Sequence, residues 1–203
     1  MKRLALLTTI VLGWSCSGGE QGELSPGGFL GAELTTPVPK PDFTFTDSKG
    51  APYRLVDRTA GQVTLLFFGY THCPDICPVH LANIAAVLDK MPDDVQRRVT
   101  VVFVTTDPAR DSLPVLDKWV KGFNPAFVGL RASDSVLAAA QAEVKLPPAE
   151  RDTLSDGSGG YAVGHAATVI AYTPDGVGRV MYPFGTRQRD WAHDLPRLVG
   201  YGQ

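Results

Sequence analysis

The chain has 203 residues, of which 44% are hydrophobic and 20% charged, and its formal net charge is −2. This composition is ordinary for a globular protein and excludes collagen-like, fully disordered and polytopic membrane chains. The near-neutral charge offers no basic surface for DNA or RNA, so no nucleic-acid partner is expected. Only three cysteines occur. They are too few for a disulfide scaffold, so a packed core must stabilise the fold.

The N-terminus has the pattern of a secretory signal. Lys2 and Arg3 precede an apolar run over residues 4–12, and Cys16 follows shortly afterwards. The run is too short to span a membrane, which takes about 20 apolar residues. It predicts a signal peptide of lipoprotein type over residues 1–15, cut before Cys16, whose lipidation would tether the protein to a membrane. Simple secretion, an uncleaved anchor and a chance cysteine are the alternatives.

Two segments follow the signal. Residues 16–40 are rich in Gly, Ser, Pro and Glu, a composition typical of a flexible tether. Residues 41–203 are predicted to form the folded domain.

The folded domain begins with predicted strands. Phe43, Phe45 and Leu55 flank the turn at residues 47–50 and predict a β-hairpin. Continuous apolar runs predict strands buried on both faces; they cover residues 63–70 and 99–106.

Helical periodicity and breaker residues predict the remaining elements. Predicted helices cover residues 81–91, 115–119, 136–144 and 191–198, and a last strand pair covers residues 168–172 and 178–182. A mobile surface loop is predicted over residues 146–160. This order of elements predicts an α/β sandwich with a central mixed β-sheet.

Cys73 and Cys77 lie in the turn that follows the first buried strand. The carboxyl ends of strands are where such sheets bind ligands. The spacing of the cysteines brings both side chains to one side of a helical turn, and a helix amino terminus favours the thiolate. If Pro78 is the first helical residue, Cys77 lies at the helix cap. This setting favours redox chemistry or metal binding over a purely structural role.

Two thiolates and one imidazole make a trigonal site for copper, so the four histidines are candidates for the third ligand. His72, next to the first cysteine, is expected to point elsewhere, His80 lies one helical turn after the second, and His193 is expected to be solvated. His165 starts a strand straight after the predicted loop, among small residues that would let it swing toward the cysteines. A structural role is the alternative for a lone histidine.

Three motifs in order resemble those of one protein family. The run FFGYTHCPDICP at residues 67–78 closely resembles the signature of the Sco/SenC family. Residues 104–111 (VTTDPARD) resemble its Asp-Pro-x-Arg-Asp segment, and residues 161–165 (YAVGH) resemble its histidine segment. Members of this family are thioredoxin-fold copper proteins that help assemble the copper centre of cytochrome c oxidase. The resemblance implies a thioredoxin-like three-layer sandwich with an N-terminal β-hairpin.

The same resemblance implies a ligand set and a function. Cys73, Cys77 and His165 would bind one copper ion per chain, as Cu(I) or Cu(II). The protein would be a membrane-tethered metallochaperone in the bacterial cell envelope, on the extracytoplasmic face. Its partners would be a copper-receiving oxidase subunit or another copper carrier. The family commonly has Asp where this chain has Gly164, a loss that would weaken copper binding or loosen the segment.

The thiol pair also supports two alternative functions. Oxidation of Cys73 and Cys77 to a disulfide would eject the metal, and the reduced pair could reduce a disulfide in the oxidase subunit. That activity would be thiol–disulfide exchange, and no conventional enzyme reaction is otherwise expected. A thioredoxin-like peroxidase that uses Cys73 is the third hypothesis.

Three charged residues near the motifs have open roles. Asp107 and Arg110 follow the neighbouring strand, so they either shape the loop or a partner surface, or form an ordinary salt bridge. Asp75 is either a helix-capping carboxylate or a partner contact, with the cap favoured.

Overall fold

The structure is a computed structural model that describes residues 23–154 and 160–202. The predicted signal peptide and Cys16 lie outside these residues. The strands are β1 (Ala32–Pro39), β2 (Thr44–Asp47), β3 (Pro52–Arg54), β4 (Val63–Gly69), β5 (Val99–Thr105), β6 (Val128–Arg131), β7 (Glu150–Thr153), β8 (Tyr161–Gly164), β9 (Thr168–Tyr172) and β10 (Val177–Pro183). The helices are α1 (Leu55–Arg58), α2 (Ile76–Leu88), α3 (Asp93–Gln96), α4 (Leu113–Lys121), α5 (Asp134–Glu143) and α6 (Gln188–Val199). Within the described ranges no helix has the length and apolar character needed to cross a membrane.

Eight of these strands form one mixed sheet in the order β1-β10-β9-β4-β5-β6-β2-β3. β4, β5 and β6 pair in parallel, and the remaining neighbours pair antiparallel. β7 and β8 form a separate antiparallel pair. The mixed sheet and the β2–β3 hairpin confirm the predicted α/β class.

The core lies on both faces of the sheet, so the domain has three layers. Leu65 and Phe67 of β4 join a cluster that includes residues of α2, α4 and α6. Leu66 and Phe68 join a second cluster, which includes residues of α1 and α5. All seven residues of β4 are buried, as its unbroken apolar run predicts. Each large apolar side chain so buried contributes about 1.5–3 kcal/mol.

The fold begins earlier than the sequence predicts. β1 lies within the predicted tether and pairs with β10 at the edge of the sheet. Phe29, which precedes it, is 1% exposed. The sequence does not indicate this strand, because it contains Pro37 and Pro39 and proline is generally disfavoured in strands. Proline is tolerated here because β1 lies at the edge of the sheet.

The predicted loop over residues 146–160 contains a strand. β7 pairs with β8 from Glu150 opposite Gly164 to Thr153 opposite Tyr161. All four residues of β7 are exposed, so no alternation of apolar and polar residues marks the strand in the sequence. The position of this hairpin matters for the site, because β8 leads directly into His165.

Candidate metal centre

The turn after β4 leads into α2 and carries both cysteines. Ile76 is the first helical residue, so the helix begins two positions before the predicted start at Pro78. Pro78 still lies in the first turn, where its missing N–H is not needed. Asp75 occupies the N-cap position, but its carboxylate makes no capping hydrogen bond. The favoured capping role of Asp75 is therefore wrong.

Cys73, Cys77 and His165 meet at one point of the structure. Their ligand atoms all lie within 4.8 Å of one another, and no other group of His, Cys, Asp or Glu in the described ranges is arranged in this way. Cys77 Sγ lies 3.4 Å from His165 Nε2. Cys73 is 8% exposed and Cys77 is fully buried, and both are free thiols. Two sulfurs and one imidazole at these separations have the chemistry to bind one soft ion such as copper.

The two thiols differ in protonation. A hydrogen bond from the Cys77 side chain, supported by His165 and by the amides of Cys77 and Asp75, lowers the pKa of Cys73 to about 4. Burial raises the pKa of Cys77 above its ordinary value, and its hydrogen bond to Cys73 acts in the same direction. At neutral pH the pair is therefore one thiolate and one thiol. The thiol donates its hydrogen to the thiolate, and metal binding must remove that proton.

Gly69 makes room for the buried sulfur. A Cβ atom at this position would lie 2.6 Å from Cys77 Sγ and 2.8 Å from Phe103. Real Cβ atoms essentially never approach so closely, so the last residue of β4 must be glycine for Cys77 to lie where it does. Glycine is required here because the Cys77 sulfur lies too close for any side chain. The backbone conformation does not require it, since Gly69 lies in a regular β-strand.

His165 is oriented by its own backbone and by aromatic rings. Its Nδ1 lies 3.1 Å from the Ala166 carbonyl oxygen, which can only accept. Nδ1 therefore carries the proton of this hydrogen bond, and Nε2 is the ring nitrogen that faces the sulfurs. The rings of Tyr70 and Phe67 contact the imidazole in edge-to-face arrangements, with ring centroids 5.6 and 6.0 Å away. A cleft of about 230 Å³ beside these groups opens to Cys73.

Asp107 and Arg110 hold the strand before His165. Arg110 forms an ion pair with the buried Asp107, and its Nη1 donates to the Tyr161 carbonyl oxygen at 3.0 Å. The Tyr161 hydroxyl donates to Asp107 at 2.8 Å. The pair is thus more than a surface salt bridge, because it connects the end of β5 to the start of β8.

The other three histidines lie outside this group. His72 Nδ1 lies 3.5 Å from Asp111 and the side chain is half exposed. His80 is buried, its Nε2 lies 3.4 Å from the Ala167 carbonyl oxygen, and burial lowers its pKa. His193 contacts Asp194 at 2.7 Å. His193, which is expected to be solvated, is partly exposed, with 29% of its side chain accessible.

The SCO1/SenC family model matches residues 32–200, which is most of the chain. The chain belongs to the SCO1/SenC family. It is 34% identical over 139 residues to the mitochondrial SCO2 homologue of Mus musculus, a match covering 67% of this chain and 52% of the relative. The matches cover between 22% and 65% of the length of the curated relatives, so the chain spans only part of each.

Solved structures of the family have the same fold. Apo Sco1 from Thermus thermophilus aligns with a TM-score of 0.74 and 33% identity, covering 84% of this chain and 96% of that one. ScoI from Bradyrhizobium japonicum, a structure with copper bound, aligns with a TM-score of 0.69 and 30% identity, covering 79% of this chain and 99% of that one. These matches confirm the predicted family and its thioredoxin-like fold.

Gly164, where the family resemblance leads us to expect Asp, is not required by its surroundings. A Cβ atom there would meet only the Glu150 carbonyl oxygen at 3.8 Å and Asp152 at 3.9 Å, both ordinary contacts. Its backbone is not in the left-handed region. This SCO1/SenC member could thus carry a larger residue before His165, so the space around Gly164 does not require glycine.

Asp111 is a supporting residue whose role is not predicted from the sequence. It is fully buried and accepts hydrogen bonds from the Thr71 amide and hydroxyl and from the Thr105 hydroxyl. These bonds tie the cysteine turn to the end of β5. A buried aspartate must be paired, but the motif alone does not say with which groups. Tyr161 was missed as well, and its only signal is its place at the start of YAVGH.

Proposed function

We propose that this protein is a copper carrier that binds one ion through Cys73, Cys77 and His165. The convergence of these three side chains within 4.8 Å is the observation on which the proposal depends. Thiolate ligands favour Cu(I), and the imidazole extends the site to Cu(II). The copper-bound ScoI relative supports the choice of metal.

The proposal includes delivery of copper to an oxidase subunit or exchange with another copper carrier. The cleft beside Cys73 gives a partner's ligands a route to the ion, and Pro74, Ile76 and Val163 contribute to its lining. Exchange between carriers requires ligands that are reachable one at a time. Cys73 is the reachable sulfur here, since Cys77 is fully buried.

The proposed location is the outer face of a bacterial membrane. Lipidation of Cys16 would anchor the chain, and residues 17–31 would separate the anchor from β1. Cleavage before Cys16 is tested by the mass of the mature N-terminal peptide from membrane extracts. An intact Met1 with an unmodified Cys16 would contradict the anchor.

The test of copper binding is the substitution His165→Ala in the purified, reduced chain. We expect Cu(II) affinity to fall by more than about 100-fold, beyond the 10–100-fold typical of losing an outer-shell partner, and the sulfur-to-copper charge-transfer band to disappear. The redox couple of the thiols should stay close to that of the parent. His193→Asn is the matched control, because it removes a histidine that contacts Asp194 instead of the cysteines. A His165→Ala protein that binds Cu(II) as tightly as the parent would refute the ligand role.

Thiol–disulfide exchange is the second candidate, and the lowered pKa of Cys73 supports it. The Cys73 thiolate would attack a target disulfide, form a mixed disulfide and release one target thiolate. Cys77 would then lose its proton and attack Cys73 Sγ, which releases the second target thiolate. Two electrons would pass to the target and leave a Cys73–Cys77 disulfide. Reduction of an oxidase-derived disulfide peptide that is unaffected by His165→Ala would favour this candidate, whereas peroxide consumption needing Cys73 alone would favour a peroxidase.

A further inference from the structure

We infer that Arg110 is a positioning residue that holds His165 against the cysteines and so sets the affinity for Cu(II) relative to Cu(I). The inference rests on the proposed function, since it concerns the same metal site. Arg110 would act through Tyr161, at the start of the strand that carries His165, and through Tyr70, whose ring meets the imidazole.

His165 directly follows a hairpin that has few apolar contacts with the rest of the domain. Among the described strands β8 pairs only with β7, and β7 pairs with no strand of the main sheet. Every residue of β7 is exposed, and Val163 is the one buried residue of β8. Segments with few buried apolar contacts open at low free-energy cost. The position of His165 therefore depends on the polar and ring contacts that fix the hairpin.

Arg110 makes two such contacts with Tyr161, the first residue of β8, and a third connection runs through Asp107. Its Nη1 donates to the Tyr161 carbonyl oxygen at 3.0 Å, and its guanidinium carbon lies 3.8 Å from the centre of the Tyr161 ring. Its Nε pairs with Asp107, which also accepts the Tyr161 hydroxyl at 2.8 Å. Asp107 is fully buried beside the end of β5. The backbone, ring and hydroxyl of Tyr161 are thus all tied to the main sheet.

The same guanidinium reaches the metal site from the cysteine side. It lies 5.7 Å from the centre of the Tyr70 ring. Tyr70 in turn meets the His165 ring edge-on, at 5.6 Å and an interplanar angle of 85°. One planar cation between two tyrosines thereby fixes the separation of the cysteine turn and the histidine strand. Lysine keeps the charge but lacks both the fork and the flat face.

Loosening the hairpin should affect the two copper states unequally. Two thiolates suffice for Cu(I), which prefers sulfur ligands, whereas Cu(II) needs the nitrogen ligand. A displaced His165 leaves the Cys73 and Cys77 sulfurs in place. Loss of the Arg110 contacts should therefore lower Cu(II) affinity and spare Cu(I) affinity.

The test compares Arg110→Lys with the parent in the purified full chain. We expect Cu(II) affinity to fall about 10–100-fold, as for loss of an outer-shell partner, with a weaker charge-transfer band. Cu(I) affinity should change by less than about threefold, which is about half of one tenfold step in binding free energy. Tyr161→Phe keeps the ring and removes the bond to Asp107, so an intermediate loss of Cu(II) affinity is expected. Arg97→Lys, at an exposed ion pair with Asp93 just after the end of α3, is the matched control and should change neither affinity.

A second measurement tests the inference without metal. Amide hydrogen exchange of residues 162–166 should be faster in Arg110→Lys than in the parent, while exchange in β4 is unchanged. Equal loss of both affinities, or unchanged Cu(II) affinity with unchanged exchange, would overturn the inference. If the parent itself binds no copper, the proposed function fails. The exchange rates of Arg110→Lys and Tyr161→Phe then decide the positioning role alone.

Discussion

At the residue scale, one hydrogen bond divides the roles of the two cysteines. Cys77 donates to Cys73, so Cys73 is the thiolate and Cys77 the protonated partner. The unfolded chain binds more protons at Cys73 than the folded chain between about pH 4 and pH 9. Cys73 therefore contributes stability that is full above pH 9 and is lost as the pH falls through about 4. Cys77, with a raised pKa, contributes in the opposite sense, and its contribution is lost as the pH rises above its unfolded value.

The reactivity of Cys73 tests this assignment. We expect its alkylation rate in the metal-free chain to stay nearly constant from about pH 8 to about pH 5 and to fall near pH 4, because the thiolate is the reacting form. Iodoacetamide labelling followed by mass spectrometry at a series of pH values measures it. Cys77→Ala removes the donor and should move the fall in rate to higher pH. A parent rate that halves close to pH 9, the ordinary pKa of a thiol, would contradict the hydrogen bond from Cys77 to the Cys73 thiolate.

At the scale of the element, the β7–β8 hairpin is the part that places the third ligand. β7 is polar throughout, and β8 combines the strand formers Tyr161 and Val163 with Gly164, so the local preference for a strand is weak in β7 and mixed in β8. Contacts of Arg110 and Asp107 with Tyr161 supply the attachment instead. The sequence indicates β8 only through its resemblance to the family's histidine segment, and it does not predict the pairing of β8 with β7.

A substitution in β8 tests how much the glycine loosens this hairpin. We expect Gly164→Ala to stabilise the chain by about 0.4–1 kcal/mol, because alanine restricts the unfolded chain and its Cβ has room in the fold. Urea denaturation measures the change. Gly176→Ala is the matched control: its φ is +81°, so alanine should destabilise the chain there. A loss of stability in Gly164→Ala as large as that of the control would show that a Cβ atom does not fit at position 164.

At the scale of the whole molecule, a buried carboxylate ties the N-terminal segment to the domain. Asp194 of α6 is fully buried and accepts bonds from the Leu30 and Gly31 amides and from the Tyr182 hydroxyl, the closest contact of each being 2.9 Å. These groups come from the segment before β1 and from β10. The proposed tether would thus leave the domain from a fixed point.

Removing this carboxylate should destabilise the fold. We expect Asp194→Ala to lower the free energy of unfolding by about 2–4 kcal/mol, because each buried donor left without a partner costs about 1–3 kcal/mol. Chemical denaturation measures it. Asp94→Ala, at an exposed position in α3, should change stability by less than about 0.5 kcal/mol. Equal stabilities of the two variants would show that Asp194 does not hold the N-terminal segment.

The sequence by itself determined the elements whose signals are local. The apolar run of β4, the turn of the β2–β3 hairpin and the spacing of Cys73 and Cys77 each depend on residues within one strand or one helical turn. The resemblance of YAVGH to a family segment added His165 to the candidate ligands. It did so as an analogy, because no periodic pattern links residues so far apart in the chain.

Only the tertiary structure decided how these pieces meet. It placed His165 Nε2 3.4 Å from Cys77 Sγ, extended the sheet with β1 and gave Arg110 its position between Tyr70 and Tyr161. The physical reason is that hydrophobic periodicity reports which face of an element is buried, but not its neighbour. Strand order and long-range polar pairing bring distant residues together, and they depend on the whole chain packing at once.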